Sequence, residues 1–416
     1  MRNLAWLCTF FCCCFYVELK AQSNNAPSNN NPHDLNISGY FQFQFQKAQE
    51  RGAPSFTGGD FLEDVDSRYM IRRGRFKFDR VDKLTNIVFQ LDATQDGVSL
   101  RDGFIQVKDP RWNMFTLTVG QFTKPFGYIL SYSSASREFP ERPRLHQTLL
   151  PSERDLGAML SVKLPKFPFV DYEIGIFNGS GMNAKDYDSR KDLSTSLQFN
   201  FKELKENWNL GFGLSYYNGF VRYGSTTRYR NAIVNGQRGF IAENSPDLLN
   251  SYALKRYSGM NFQTDFMWIF GKTWIKGEFI SGKQPGQAAS TSVTAGQASR
   301  SLGTLITNDI YNRNFNGFFL WLIQEIPGTQ LQWIANYDRY DPNSFVKGKQ
   351  IGQNGSNTTA GDIRFNTFGT GLVYYFSKQV KFTLYYDHPV NERTSLADYT
   401  EDLKDDIFTI RAQYRF

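Results

Sequence analysis

The sequence predicts an all-β chain folded as a 16-stranded antiparallel transmembrane β-barrel, with short periplasmic turns and long outer loops, over residues 37–416. Three observations predict it: strands with one apolar and one polar face, connections that alternate between short and long, and an aromatic C-terminus. Residues 39–47, GYFQFQFQK, show the first in its simplest form. Successive side chains of a strand point to opposite faces, so Phe41, Phe43 and Phe45 share one face and Gln42, Gln44 and Gln46 the other. In a membrane barrel the phenylalanine row faces lipid and the glutamine row a wet lumen.

The N-terminus sets the compartment. Arg2, the short apolar run 4–17 and the small residue Ala21 outline a secretory signal over residues 1–21, too short and wrongly flanked for a membrane span. All four cysteines, Cys8, Cys12, Cys13 and Cys14, lie within it, so the mature chain has no disulfide and no cysteine-based metal site. Loss of Arg2, Lys20 and Glu18 takes the formal charge from +7 to +6. Residues 22–36, QSNNAPSNNNPHDLN, lack periodicity and read as a disordered polar leader. The chain beyond residue 36 contains no apolar run of about 18 residues, which excludes a spanning helix.

Sixteen alternating segments make up the rest of the chain. The first eight are GYFQFQFQ, RRGRFKFD, NIVFQLDA, RDGFIQVK, MFTLTVGQ, LGAMLSVK, VDYEIGIF and LSTSLQFN. The second eight are NWNLGFGLSYY, MNFQTDFMWIF, TWIKGEFI, FNGFFLWLIQ, QLQWIANYD, TFGTGLVYYF, VKFTLYYD and DIFTIRAQYRF. In the eighth, Leu193, Leu197, Phe199 and Phe201 oppose Ser194, Ser196, Gln198 and Asn200. FNGFFLWLIQ is apolar on both faces, and its assignment rests on length and aromatic content. Every second connection is short: 81–83, 109–113, 165–168, 203–206, Gly271, 326–328 and 377–378. The others are long, 48–67, 123–154, 179–191, 220–257, 282–312, 340–363 and 388–405, with 95–98 the single exception. A soluble sandwich has no reason to sort its loops in this way, whereas bacterial barrels do. Unpaired backbone groups are too costly in lipid for an open edge, so the sheet must close.

Closure sets the first strand between the second and the last. Arg73, Arg75 and Lys77 then flank Gln42, Gln44 and Gln46 on one side, with Arg411 and Arg415 on the other and Lys381 one strand beyond. The inward faces balance ten basic against nine acidic residues, so arrangement rather than total charge would favour anions. The long connection 123–154 is expected to fold inward and constrict the lumen. It carries Lys124, Arg137, Arg142, Arg144 and Arg154 together with apolar Tyr128, Ile129, Leu130, Leu149 and Leu150. Catalysis finds little support: of the three histidines only His146, near Ser131, Ser133 and Ser134, lies beside hydroxyl groups. No catalytic residue, metal, cofactor or nucleic-acid partner is expected.

The segments SRYMIRRGRFKFD, VSLRDGFIQVKD, LTVGQFTKPFG, LLPSERDLGAML and YEIGIFNGSG, together with the aromatic terminus, resemble the phosphate-selective porins O and P. The resemblance covers essentially the whole mature chain and is densest over residues 68–181. It implies a trimeric porin in the outer membrane of a Gram-negative bacterium, passing small hydrophilic solutes with a mild preference for anions such as phosphate. The leader has no heptads, so no N-terminal coiled coil is expected. A substrate-specific oligosaccharide channel, with Phe104, Phe122 and Tyr385 as a sliding surface, and a non-conducting barrel stay open as alternatives.

Overall fold

The computed structural model describes residues 35–151, 153–186, 188–205, 207–288 and 308–416. The signal segment and the leader up to residue 34 lie outside the described residues, and Asn36 already opens the first strand. The strands are β1 (Asn36–Ala48), β2 (Ser67–Val81), β3 (Thr85–Thr94), β4 (Gly97–Lys108), β5 (Phe115–Thr123) and β6 (Arg154–Leu164). Next come β7 (Phe167–Phe177), β8 (Asp192–Lys205), β9 (Trp208–Tyr223), β10 (Thr227–Val234), β11 (Gln237–Asn244) and β12 (Ser251–Trp268). The last six are β13 (Gly271–Gly286), β14 (Ile310–Glu325), β15 (Leu331–Asp341), β16 (Phe365–Tyr375), β17 (Val380–Asn391) and β18 (Ile407–Arg415). A short helix, α1 (Arg144–Leu149), lies between β5 and β6.

Antiparallel pairing runs from β1 to β9, passes directly to β12, continues to β18 and returns to β1. The wall is therefore a closed 16-stranded barrel, and each of the sixteen expected segments falls on one of its strands. The two additional strands form a hairpin. Residues 220–257, expected to be one long connection, instead extend β9 and β12 past the rest of the wall and hold β10 and β11 between them. The hairpin leans on the wall through a three-residue parallel pairing of β10 with β14, where Tyr229 stacks on Tyr311 at 4.3 Å. The expected turn at Gly271 shifts by one step: Ile269 and Phe270 make it, and Gly271 opens β13 with φ +96°.

Closure happens at the two ends of the barrel sequence. Gly39 and Phe416 exchange backbone hydrogen bonds of 3.1 Å each way, and the Phe416 ring lies 6.2 Å from Phe41 and 5.9 Å from Phe76. A Cβ on Gly39 would stand 2.6 Å from the Phe416 ring and closer still to the Arg75 carbonyl, so a side chain there would push the terminal strand away. The outer surface is apolar along the strands: Phe43 is 50% exposed while Gln44 beside it is 3% exposed. Ile87, Val119, Leu214, Leu320 and Leu384 continue this belt around the wall. In water such a surface would be a liability; in hydrocarbon it is the matching solvent.

Candidate functional site

Two irregularities in the wall shape the interior. Gln42 pairs with Arg73 and Phe43 with Ile71, which leaves Arg72 as the extra residue of a β-bulge. On β4 the same happens at Arg101, since Gln90 pairs with Asp102 and Leu91 with Leu100. Strict alternation would have sent Arg72 and Arg101 into lipid, at a cost of about 2–4 kcal/mol each near the bilayer midplane. The bulges re-aim both side chains inward. Arg72 reaches Glu141 at 2.8 Å and Arg101 reaches Glu153 at 2.7 Å.

Those glutamates belong to the connection 124–153, which threads the inside of the barrel. Glu141 also accepts from Arg73 at 2.7 Å and Arg411 at 2.8 Å, with Arg137 at 4.0 Å. Burial alone would raise the Glu141 carboxyl, but the surrounding arginines hold it well below the usual carboxylate range. Glu153 is clamped in the same way by Arg101, Arg142 and Arg154, and it too lies far below its ordinary value despite burial. Arg154 additionally meets Asp102 at 3.0 Å.

Apolar packing completes the seat. Phe126, Leu130, Leu145, Leu149 and Leu150 of the connection bury against Tyr217, Tyr257, Ile280, Phe315 and Tyr340 of the wall. Ile129 and Phe139 do so against Phe319, Trp321, Ile323 and Tyr385, with the Phe139 and Trp321 rings stacked at 4.3 Å. This accounts for FNGFFLWLIQ. Its outer row faces lipid, and its inner row of Phe315, Phe319, Trp321 and Ile323 receives the connection rather than water.

The strip on β1 has a related use. Gln42 donates to the Ser134 carbonyl at 3.1 Å, Gln413 to the Ala135 carbonyl at 2.9 Å, and Lys381 to the Ala135 and Arg137 carbonyls at 3.1 and 2.7 Å. Gln44 accepts from Arg411, and Gln46 donates to the Thr57 carbonyl of the first outer connection. The three glutamines point inward, but protein covers them: each is at most 3% exposed. A connection with unpaired carbonyls needs donors beneath it, and the glutamine amides and Lys381 provide them.

The expected basic residues do not act as one set. Arg73, Arg75 and Arg411 stand together; Arg75 pairs with Asp92 at 3.0 Å. Lys77 pairs with Asp79 at 3.1 Å on a half-exposed stretch, and Arg415 is exposed at the end of β18, away from the group. Lys124 is buried, 3.9 Å from Asp155, and Arg137 is fully buried, donating to the Phe139 and Pro140 carbonyls. Arg144 differs from all of these. Its guanidinium lies between the rings of Phe56 and Phe365, at 4.2 and 3.8 Å, with no carboxylate within 4.0 Å among the described residues. His146 is buried with Nε2 3.3 Å from Glu278, and among the described residues neither ring nitrogen hydrogen-bonds a serine hydroxyl. Phe122 packs on Phe177 at 5.4 Å and Tyr385 on Phe139 at 5.9 Å, so the aromatics expected to form a sliding surface are consumed in packing.

A cavity of about 820 Å³ remains above the seat, lined by Arg72, Arg73, Arg75, Arg101, Arg142 and Arg144 among others. Sequence reasoning missed Arg72, Arg101, Glu141 and Glu153 as its organising residues. The signal was present: an arginine on the lipid parity of a strand marks a bulge.

No protein-family model matches the chain, and no curated protein matches it. Solved structures do. The outer membrane channel DcaP of Acinetobacter baumannii superposes with TM-score 0.53 at 13% identity, over 92% of this chain and 97% of that one. An anion-selective porin from Comamonas acidovorans gives TM-score 0.53 at 11% identity, over 92% and 99%. OmpT of Vibrio cholerae, in a trimer form, gives 0.52 at 10% identity, over 92% and 99%. At these identities the likeness is one of fold: this chain has the fold of the outer-membrane porins.

Proposed function

We propose that the chain is a porin of the Gram-negative outer membrane, a passive channel for small hydrophilic solutes that favours anions mildly. The observation that carries this reading is the closed 16-stranded wall with lipid-compatible exterior and charged interior, holding a cavity of about 820 Å³ above the connection 124–153. That connection is the constriction. A phosphate-like preference draws support from the resemblance in sequence and from six arginines at the cavity. Five of them already have a carboxylate partner, which is why the preference is mild. Assembly as a homotrimer fits the trimeric form of the similar Vibrio cholerae protein.

Reconstitution of the mature protein in planar bilayers tests this reading. Stepwise currents are expected, with a small zero-current potential of anion sign across a potassium chloride gradient. A silent membrane would overturn the porin assignment, and a potential of cation sign would overturn the preference.

A further inference from the structure

Next to the arginine-lined wall the lumen carries a group of carboxylates with the opposite character. Asp338 on β15 and Asp387 on β17 face inward, and Asp405 joins them from the connection between β17 and β18. Among the described residues none of the three lies within 4.0 Å of a cationic nitrogen. Asp338 and Asp405 are each 2% exposed, and each leaves its Oδ1 without a hydrogen-bond partner. Buried carboxylate oxygens are rarely left so, because the group has given up water and gained nothing. Asp338 Oδ2 accepts the backbone N–H of Arg144 at 2.6 Å, which ties the acidic group to the one arginine of the cavity without a carboxylate of its own.

The space between these groups is small. A recess of about 40 Å³ is lined by Arg144, Asp338, Asp387 and Asp405, together with Glu141 and Arg142, which are paired with Arg73 and Glu153. It shares Phe56, Arg144 and Asp405, among others, with the larger cavity. That is room for roughly one small polar head, a few water volumes at most, and not for a ring or a whole solute. The donor set also discriminates. No arrangement of three or more acidic, histidine or cysteine side chains able to hold a metal ion exists among the described residues. A purely anionic solute would meet the three carboxylates without a cationic partner beside Arg144, and a purely cationic one would meet the guanidinium.

We propose that the recess is a subsite for zwitterionic solutes. It receives the ammonium end of a small amino acid or dipeptide between Asp338 and Asp405, while Arg144, braced between Phe56 and Phe365, takes the carboxylate from the cavity side. The ammonium supplies the missing donors to both Oδ1 atoms, and the guanidinium makes a charge-assisted contact that no protein carboxylate takes up. The proposal rests on the porin reading and adds a solute class to it.

Glycylglycine is the probe, with uncharged N-acetylglycinamide as its control. Added to the reconstituted channel at neutral pH, glycylglycine should interrupt the ion current in a concentration-dependent way and the control should not. Asp405→Asn and Arg144→Gln should each weaken that interruption by about tenfold, the scale of one lost charged hydrogen bond. Asp405 sits on an outer connection, so its variant keeps the wall intact. Equal action of both probes, an inert glycylglycine, or two variants that behave as the parent would each overturn the subsite. A channel without conductance steps would overturn the porin reading instead. Calorimetric titration of the folded protein with glycylglycine then decides the subsite: heat of binding that Asp405→Asn abolishes supports it, and its absence overturns it.

Discussion

Along β2, β4 and β18 the inward arginines Arg72, Arg73, Arg101 and Arg411 each meet a glutamate of the connection 124–153. Along β15 and β17 the inward carboxylates Asp338 and Asp387 meet no cation within 4.0 Å among the described residues. Both regions line one lumen, and both bury charge. In the first, opposite charges arrive from wall and connection, so each group keeps a partner in exchange for its lost hydration and the contact becomes a fastening. In the second the partner has to come from elsewhere. The lesson is that counting wall charges does not forecast selectivity. What matters is which charges the protein has already used on itself.

The largest effect is expected from Glu141→Gln. It strands Arg72, Arg73 and Arg411 without their counter-ion. Removing one partner of a buried charge cluster costs about 3–5 kcal/mol, so the folded barrel should lose its resistance to heat in detergent electrophoresis. In the fraction that still inserts, the freed guanidiniums should move the zero-current potential further toward anions. Unchanged heat resistance together with unchanged selectivity would show that the arginines are not fastened through this glutamate.

A second pair of variants tests which face of β1 is inside. Phe43→Glu puts a carboxylate into the lipid belt, where charge costs up to about 2–4 kcal/mol for a basic side chain and less for an acid. Folded barrel should be lost in proportion. Gln44→Glu, one residue away, places the same group against Arg411, which already donates to Gln44 at 2.9 Å. That variant should fold as the parent does and shift selectivity slightly away from anions. Exchange of the two outcomes would invert the facing of β1.

The smallest effect separates the regions by pH. Burial pushes the Asp405 carboxyl up to about 7, with Arg144 opposing only in part. A raised acid lends stability that is complete below its unfolded value of 3.8 and is lost as pH rises through about 7. Glu141 and Glu153 run the other way: depressed by their arginines, they stabilise fully above an ordinary value of 4.5 and fail only below it. The melting midpoint of the wild type should therefore fall modestly between pH 5 and pH 8 and drop sharply below about pH 4.5. Asp405→Asn should flatten the first slope and leave the second. A neutral-range slope untouched by that substitution would detach it from Asp405.

The sixteen strands, their facing and the sorting of short turns from long connections could be read from the chain because they arise from local periodicity. GYFQFQFQK carries its two faces within nine residues, and lipid and water on opposite sides of one wall leave only one way to orient them. Arg72 and Arg101 defied that reading because a bulge depends on the neighbouring strand, and alternation within one strand carries no record of where its partner slips. The hairpin of β10 and β11 escaped it for a related reason: its strands find their wall contact on β14, some eighty residues away in the chain. The pairing of charges was out of reach altogether. Arginines on three strands and glutamates on one connection are equally compatible with a free basic pore and with a fastened seat. Only the path of that connection through the barrel brought Glu141 and Glu153 within hydrogen-bonding distance of the arginines and left Asp338, Asp387 and Asp405 without a cation within 4.0 Å among the described residues, because ion pairing is decided at separations of 3–4 Å that the order of residues does not encode.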